Sequence, residues 1–200
     1  MSYLDQVWSP SILFRYPAFL SAEECDEIRY HMLSSPTYTG TIIKRVGGPT
    51  IDTTVRRATN VEVPNYIHNL VGEKLANVNH LVNEHFSVHT SDFQRIQFLI
   101  YRTGEFFRRH RDVAPESAIA DLSSRKVSAV VFLNDSSTAK NTFEGGMLSF
   151  IGRFQANGRE FTRLDVAPEE GLLIAFPPNL LHEVVRVKHG VRFTLVSWFT

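Results

Sequence analysis

The chain has 200 residues, 43% of them hydrophobic and 21% charged, with 21 Lys and Arg against 21 Asp and Glu. That size and composition read as one soluble globular domain with enough apolar residues for a real core. Zero net charge argues against binding nucleic acid or membrane by bulk electrostatics, while leaving local patches open. The single cysteine, Cys25, excludes an internal disulfide and fits a reducing cytoplasm. The opening run "MSYLDQVWSPSILF" lacks a basic stretch followed by an apolar one, so no signal peptide is expected. No apolar run is long enough to span a bilayer. The 15 Phe favour a strand-rich interior filled with aromatic rings.

In chain order, "LSAEECDEIRYHML" predicts a first helix, with Ser21 as N-cap and Glu24 completing a capping box. "YTGTIIKRVGGPTIDTTVRRATNVEVP" predicts short strands around a loop at Gly47-Gly48-Pro49. "NYIHNLVGEKLANVNHLVNEHF" predicts a second helix, with Ile67, Leu70, Val71, Leu75, Val78 and Leu81 at helical spacing. From Phe93 the period changes. "FQRIQFLIY", "KVSAVVFLN", "MLSFI", "GLLIAF", "HEVVRV" and "RFTLVSWF" are short β-branched or aromatic runs split by Gly, Pro, Asn and Asp. Two helices followed by many short strands predict an α+β, mainly β chain whose strands close into a sandwich or barrel.

The chemistry concentrates in "RTGEFFRRHRDVAP", Arg102 to Pro115. On a strand, residues two apart share a face, so His110 and Asp112 would aim an imidazole and a carboxylate at one point, with Arg111 facing away. Those two ligands alone leave a metal site incomplete. His182, which follows the rigid "FPPNLL", is the best third ligand; His80, His85 and His89 have no acidic partner at ligand spacing, and His189 is expected solvated in a turn. Two His and one carboxylate make the facial triad of non-haem Fe(II) oxygenases, which leaves positions open for a chelating cosubstrate and dioxygen. A 2-oxo acid bound there needs its far carboxylate held, and a bidentate Arg does this best. Arg192 meets the need if Lys188 and Arg192 flank a three-residue turn at Gly190, which places residues 182 and 192 on one face.

At this point the sequence resembles a family. "YRTGEFFRRHRD", "RKVSAVVFLND", "EGGMLSF" and "VAPEEGLLIAFPPNLLHEVVRVKHGVRFTLVSWF" follow the order of motifs in prolyl-4-hydroxylase-type 2-oxoglutarate/Fe(II) dioxygenases, over Phe93 to Thr200. The resemblance implies a double-stranded β-helix (jelly roll) core over residues 93–200. Residues 1–92 would be helical and loop support, packed on one sheet of a single domain. It implies Fe(II) on His110, Asp112 and His182, with 2-oxoglutarate held by Arg192 and faced by Tyr101. Dioxygen would be the oxidant and ascorbate an accessory reductant. Several relatives carry Tyr where this chain has Phe132, so Thr194 is expected to supply the missing hydroxyl. Tyr101 also admits a plain core reading.

The remaining arginines admit two readings. They are a solvated rim, or Arg56 or Arg57, Arg102, Arg109 and Arg125 ring the mouth and attract an anionic substrate. Arg125 is the first choice, since relatives also carry Arg there. The expected reaction is hydroxylation of an unactivated C–H bond in an amino acid, a prolyl peptide or a small natural product. Halogenases of this mechanism lack the carboxylate that Asp112 provides. The DNA-alkylation-repair branch carries a second Arg six residues after the first, where this chain has Trp198, so nucleic acid is disfavoured. A cupin-like metal hydrolase or isomerase would not need Arg192. A non-catalytic metal-binding or sensing module is the remaining alternative. The loop at Gly47-Gly48-Pro49 is expected to shape substrate choice, and the segment around it, from about Tyr38 to Asn60, is expected to be the most mobile part of the chain; the family resemblance implies that it is a lid over the iron.

Overall fold

The computed structural model describes residues 7–39, 42–44, 48–113, 120–135 and 142–200. The first half runs β1 (Val7–Trp8), β2 (Phe14–Tyr16), α1 (Ala22–Ser34), β3 (Thr37–Thr39), β4 (Ile42–Lys44), β5 (Gly48–Thr50), β6 (Arg56–Arg57), β7 (Thr59–Val61) and α2 (Asn65–Phe86). The second half runs β8 (Gln97–Arg102), β9 (Phe106–His110), α3 (Ala120–Ser123), β10 (Val127–Phe132), β11 (Phe143–Gly145), β12 (Leu148–Ala156), β13 (Arg159–Val166), β14 (Leu173–Phe176), β15 (His182–Val184) and β16 (Val187–Phe199).

The strands form two main sheets. The larger has the order β2-β14-β10-β16-β8-β7-β3, with β11 added on β16. The smaller has the order β1-β12-β15-β9-β6, with β13 added on β12. This is a double-stranded β-helix, mainly β with two long helices, as the resemblance implied. Residues before 93 do more than support it, because β2, β3 and β7 extend the large sheet while β1 and β6 flank the small one.

Alternation along the central strands explains the layering. On β10, Val127, Ala129 and Val131 join the cluster that holds α1 and α2, while Val130 and Phe132 join the cluster between the sheets. Both faces are covered, so all six residues of β10 are buried. From α1 the helical layer contributes Cys25, Ile28 and Met32, and from α2 Ile67, Val71, Leu75, Val78 and Val82. Each fully buried aliphatic side chain of this kind contributes roughly 1.5–3 kcal/mol. The predicted stripe drifts at its end, with Val82 buried and Leu81 half-buried. Cys25 is completely buried, and burial pushes its thiol up to about 12, so it packs rather than reacts.

The capping box of α1 is present. Ser21 Oγ accepts from the Glu24 N–H at 3.2 Å, and the Ser21 N–H donates to Glu24 Oε2 at 2.7 Å. Buried Arg29 ties α1 to the end of β10 by donating to the Leu133 carbonyl while pairing with Asp26 and Glu170.

Three local expectations are corrected. "HEVVRV" is not one strand, because β15 ends at Val184 and the chain crosses to the other sheet before β16 starts at Val187. No hairpin forms at Gly190, which sits inside β16 opposite Phe143. Its φ of 76° serves a close approach instead, since a Cβ there would lie 2.3 Å from the Thr142 carbonyl oxygen. His189 is accordingly exposed on a strand rather than in a turn. The hairpin of β12 and β13 was missed, although Asn157-Gly158 signals it; their φ angles are 51° and 74°. Within the expected lid, Tyr38 to Asn60, the chain forms β4, β5 and β6 and parts of β3 and β7, with Gly48 and Pro49 in β5, while residues 40–41 and 45–47 lie outside the described residues. Among the described residues, no helix is long and apolar enough to cross a membrane.

Candidate metal centre

His110 closes β9 and His182 opens β15, and the two residues pair directly across the small sheet. Their rings lie 4.2 Å apart between centroids. Asp112 falls just beyond the end of β9, so a chain bend rather than strand alternation brings its carboxylate round to His110. The proline segment fixes that bend, because the Asp112 N–H donates to the Pro178 carbonyl at 2.8 Å. His110 Nε2 is 3.5 Å from Asp112 Oδ1, and His182 Nε2 is 3.7 Å from Asp112 Oδ2. The ligand atoms of all three residues lie within 4.8 Å of one another, which suits a single cation.

Hydrogen bonds set the tautomers. His110 Nδ1 lies 2.8 Å from the Arg108 carbonyl and His182 Nδ1 2.8 Å from the Leu180 carbonyl. A carbonyl only accepts, so each Nδ1 carries a hydrogen, and each ring turns its Nε2 to the centre. Phe107 stacks on the His110 ring at 3.6 Å, and Phe176 packs edge-on to His182 at 4.8 Å.

Burial favours neutral imidazole at His182, and the nearby His110 adds to this, bringing its pKa down to about 4 despite the opposing pull of Asp112. Burial alone would push the Asp112 carboxyl up. The imidazoles of His182 and His110, together with the Ser128 hydroxyl, overcome it and hold the group well below the usual carboxylate range. The centre therefore presents a neutral His182 imidazole and an ionised Asp112 carboxylate beside the His110 ring, and two His with one carboxylate are the donor set of a 2-His-1-carboxylate metal site.

The triad opens on a cavity between the two sheets. Its other wall is the inward face of β16 and β8. Arg192, Thr194, Val196 and Trp198 alternate on β16, with Gln97, Leu99 and Tyr101 beside them on β8. Residues 182 and 192 do share the cavity, but from opposite sheets rather than from one hairpin.

Arg192 is 1% exposed, and burial lowers its pKa to about 10, which leaves it a cation at neutral pH. Its Nη1 donates to Thr194 Oγ1 at 3.1 Å. Its guanidinium lies 5.0 Å from the Tyr101 ring and 5.3 Å from the Phe132 ring. Among the described residues, Arg192 Nε and Nη2 are buried and meet no hydrogen-bond partner. Buried donors are normally satisfied, so a bare two-donor edge beside the metal site suits a carboxylate. Gly146 makes room for this side chain, since a Cβ there would lie 3.0 Å from Arg192 Cδ. Phe132 pairs with Thr194 in register, and the two side chains lie side by side next to Arg192.

The other arginines divide. Arg56 is buried and lines the cavity, its Nη2 3.4 Å from Asn60 Oδ1 and 3.5 Å from Gln97 Oε1. Arg57, its neighbour on β6, is exposed and lies 6.0 Å from the Phe106 ring. Arg102 is exposed and donates to Thr59 Oγ1 at 3.0 Å, and exposed Arg109 pairs with Glu183 at 3.4 Å. Neither Arg57 nor Arg102 lines the cavity. Arg125 is half-buried behind it, donating to Gln94 Oε1 at 2.9 Å and to the Asp112 carbonyl at 3.0 Å, with its guanidinium 3.6 Å from the Trp198 ring. Arg111 faces away from the centre as expected, donating to the Asn179 carbonyl at 2.9 Å. Sequence reading missed Ser128 and Gln97, which lie inward on strands whose runs look like core. It noted Trp198 only as a residue that is not Arg. The Trp198 indole N–H is buried and unpartnered among the described residues.

A family model described as the 2OG-Fe(II) oxygenase superfamily matches residues 96–200. No curated protein sequence matches the chain significantly. Among solved structures, a Pseudomonas putida prolyl-4-hydroxylase is 23% identical with a TM-score of 0.62, over 94% of this chain and 91% of that one. A viral collagen prolyl hydroxylase from Paramecium Bursaria Chlorella virus-1, solved with 2OG, is 18% identical with a TM-score of 0.61, over 94% and 95%. A prolyl hydroxylase from Trichoplax adhaerens, in complex with a hypoxia inducible factor oxygen degradation domain peptide fragment, is 15% identical with a TM-score of 0.64, over 95% and 84%. At these identities the likeness is one of fold.

Proposed function

The chain belongs to the 2OG-Fe(II) oxygenase superfamily, an enzyme family that uses Fe(II), 2-oxoglutarate and dioxygen, and on that premise we propose that it hydroxylates an unactivated C–H bond of an amino acid, a prolyl peptide or a small natural product. His110, Asp112 and His182 hold the iron in this reading. Arg192 holds the far carboxylate of 2-oxoglutarate, with Thr194 and Tyr101 beside it. The observation that carries the assignment is the unpartnered edge of Arg192 in the same cavity as the triad. A metal hydrolase or isomerase that works without 2-oxoglutarate has no use for that edge.

The bound metal supplies the oxidising chemistry, as 2-oxoglutarate loses carbon dioxide to become succinate and one oxygen atom enters the substrate. The chain's own residues do the rest. Arg192 orients the cosubstrate by a charged two-point contact. The apolar walls, Leu99, Val130, Val184 and Val196, exclude water. Arg56, on the cavity wall, favours an anionic substrate group, and the Trp198 N–H offers a donor to a substrate carbonyl or carboxylate. Arg57 and Arg102 contribute only to the field outside the mouth, and Arg125 braces Asp112 and Trp198 rather than meeting substrate. The strands that residues 7–61 add to both sheets support reading the chain as one domain. A cytoplasmic location and ascorbate as accessory reductant belong to the same reading.

The test is dioxygen uptake with succinate formation, run with and without Fe(II) and 2-oxoglutarate, followed by mass spectrometry of substrate candidates. Uptake that requires both, with a product heavier by one oxygen atom, supports the proposal. Metal binding without 2-oxoglutarate turnover would point to the sensing module. Loss of an alkyl group from nucleic acid would point to the repair branch.

A further inference from the structure

The reading of the triad as an iron site leaves one contact without a role. Ser128 is completely buried on the inward face of β10, between Phe176 of β14 and Trp198 of β16. Its hydroxyl donates to Asp112 Oδ2 at 2.7 Å. A carboxylate only accepts, so the hydroxyl hydrogen lies on that bond. Two large neighbours call for a small residue here, and alanine would meet that need without burying a hydroxyl. The hydroxyl therefore calls for its own explanation.

The backbone of Asp112 is already fixed, its N–H by the Pro178 carbonyl at 2.8 Å and its carbonyl by Arg125 Nη1 at 3.0 Å. Neither bond fixes rotation of the carboxylate about its own axis. Ser128 does so by engaging Oδ2, which leaves Oδ1, 3.5 Å from His110 Nε2, as the freer oxygen.

We propose that Ser128 is a positioning residue that makes Asp112 a one-oxygen ligand and so keeps coordination positions open for the cosubstrate and dioxygen. A carboxylate with both oxygens free can bind a cation through one or both. Bound through one, the triad covers a single face of an octahedral ion and leaves the opposite face open. Bound through both, it takes a position from the open face and competes with a chelating 2-oxo acid. The inference rests on the iron-site reading, and the experiment separates the two.

Ser128→Ala and Ser128→Thr are prepared metal-free, checked by circular dichroism and melting, and loaded anaerobically with Co(II) as a spectroscopic probe. Visible absorption reports coordination, and calorimetry reports 2-oxoglutarate affinity for the Co(II) protein. Ser128→Ala is expected to take up Co(II) with an altered spectrum and to bind 2-oxoglutarate about tenfold to a hundredfold more weakly. Ser128→Thr, which keeps the hydroxyl, is expected to restore both; if the added methyl prevents folding, the smaller alanine variant decides alone. A wild-type spectrum and affinity in Ser128→Ala overturn the proposal. So does complete loss of Co(II) uptake in a folded Ser128→Ala protein, because the serine would then be needed to bind the metal at all. A wild-type protein that binds neither Co(II) nor 2-oxoglutarate overturns the iron-site reading instead.

Discussion

Two residues at the centre do their work through what surrounds them. Arg192 is held by Thr194, packed beside Tyr101 and Phe132, and left with two buried donors open. Arg192→Ala should weaken 2-oxoglutarate binding by about 3 kcal/mol, on the order of a hundredfold, by leaving a buried carboxylate without its charged partner. Calorimetry on the anaerobic metal-loaded protein measures this, and unchanged affinity removes Arg192 from the role. Asp112 is the only anionic member of the triad. Asp112→Gly should abolish hydroxylation and leave at best trace chlorination in chloride buffer, because a ligand and its charge go together. Product analysis by mass spectrometry with iron in excess decides it; near-wild-type product would mean that the centre is built from other residues.

Elements matter here through where they stop and how closely they approach. β9 ends at His110, and the bend pinned by Pro178 delivers Asp112. β16 runs unbroken through Gly190 because a backbone with positive φ passes tightly beside Thr142. Gly190→Ala should cost about 2–4 kcal/mol, the sum of an unfavourable φ and a backbone clash. Urea unfolding measures it, and a cost below about 1 kcal/mol would show that β16 gives way there easily. By contrast Ser21→Ala, which removes an exposed cap from α1, should cost only about 1 kcal/mol by the same measurement. Sequence spacing placed the start of α1 correctly, because a capping box is a local device. The Gly190 turn failed because glycine reports that φ is free, not what use the fold makes of it.

For the whole molecule, the buried centre links stability to pH. The unfolded chain protonates His182 near its ordinary value, roughly 6.5, whereas the folded metal-free protein does so only near about 4. Between those values the unfolded state binds more protons, so stability that is complete above the unfolded pKa is lost as pH falls towards the folded one. The loss should reach about 3 kcal/mol. Asp112, also held low, adds to it at still lower pH. Melting temperatures of the metal-free protein and of His182→Gln, compared from pH 7 to 4, read the contribution as their difference. If the two fall in parallel, His182 is not the linked group.

By itself the sequence determined the donor chemistry and the strand content. His110, Asp112, His182 and Arg192 are legible because metal and carboxylate binding each require particular atoms, and few side chains supply them. Alternation on β8, β10 and β16 is equally legible, since residues two apart must share a face. Only the tertiary structure decided which residues meet. His182 and Arg192 come together from opposite sheets, Arg56 turns inward while Arg57 turns out, and Ser128 reaches Asp112 from another strand. The physical reason is that sheet register and the crossing between sheets are set by contacts far apart in the chain, about which local spacing carries no information.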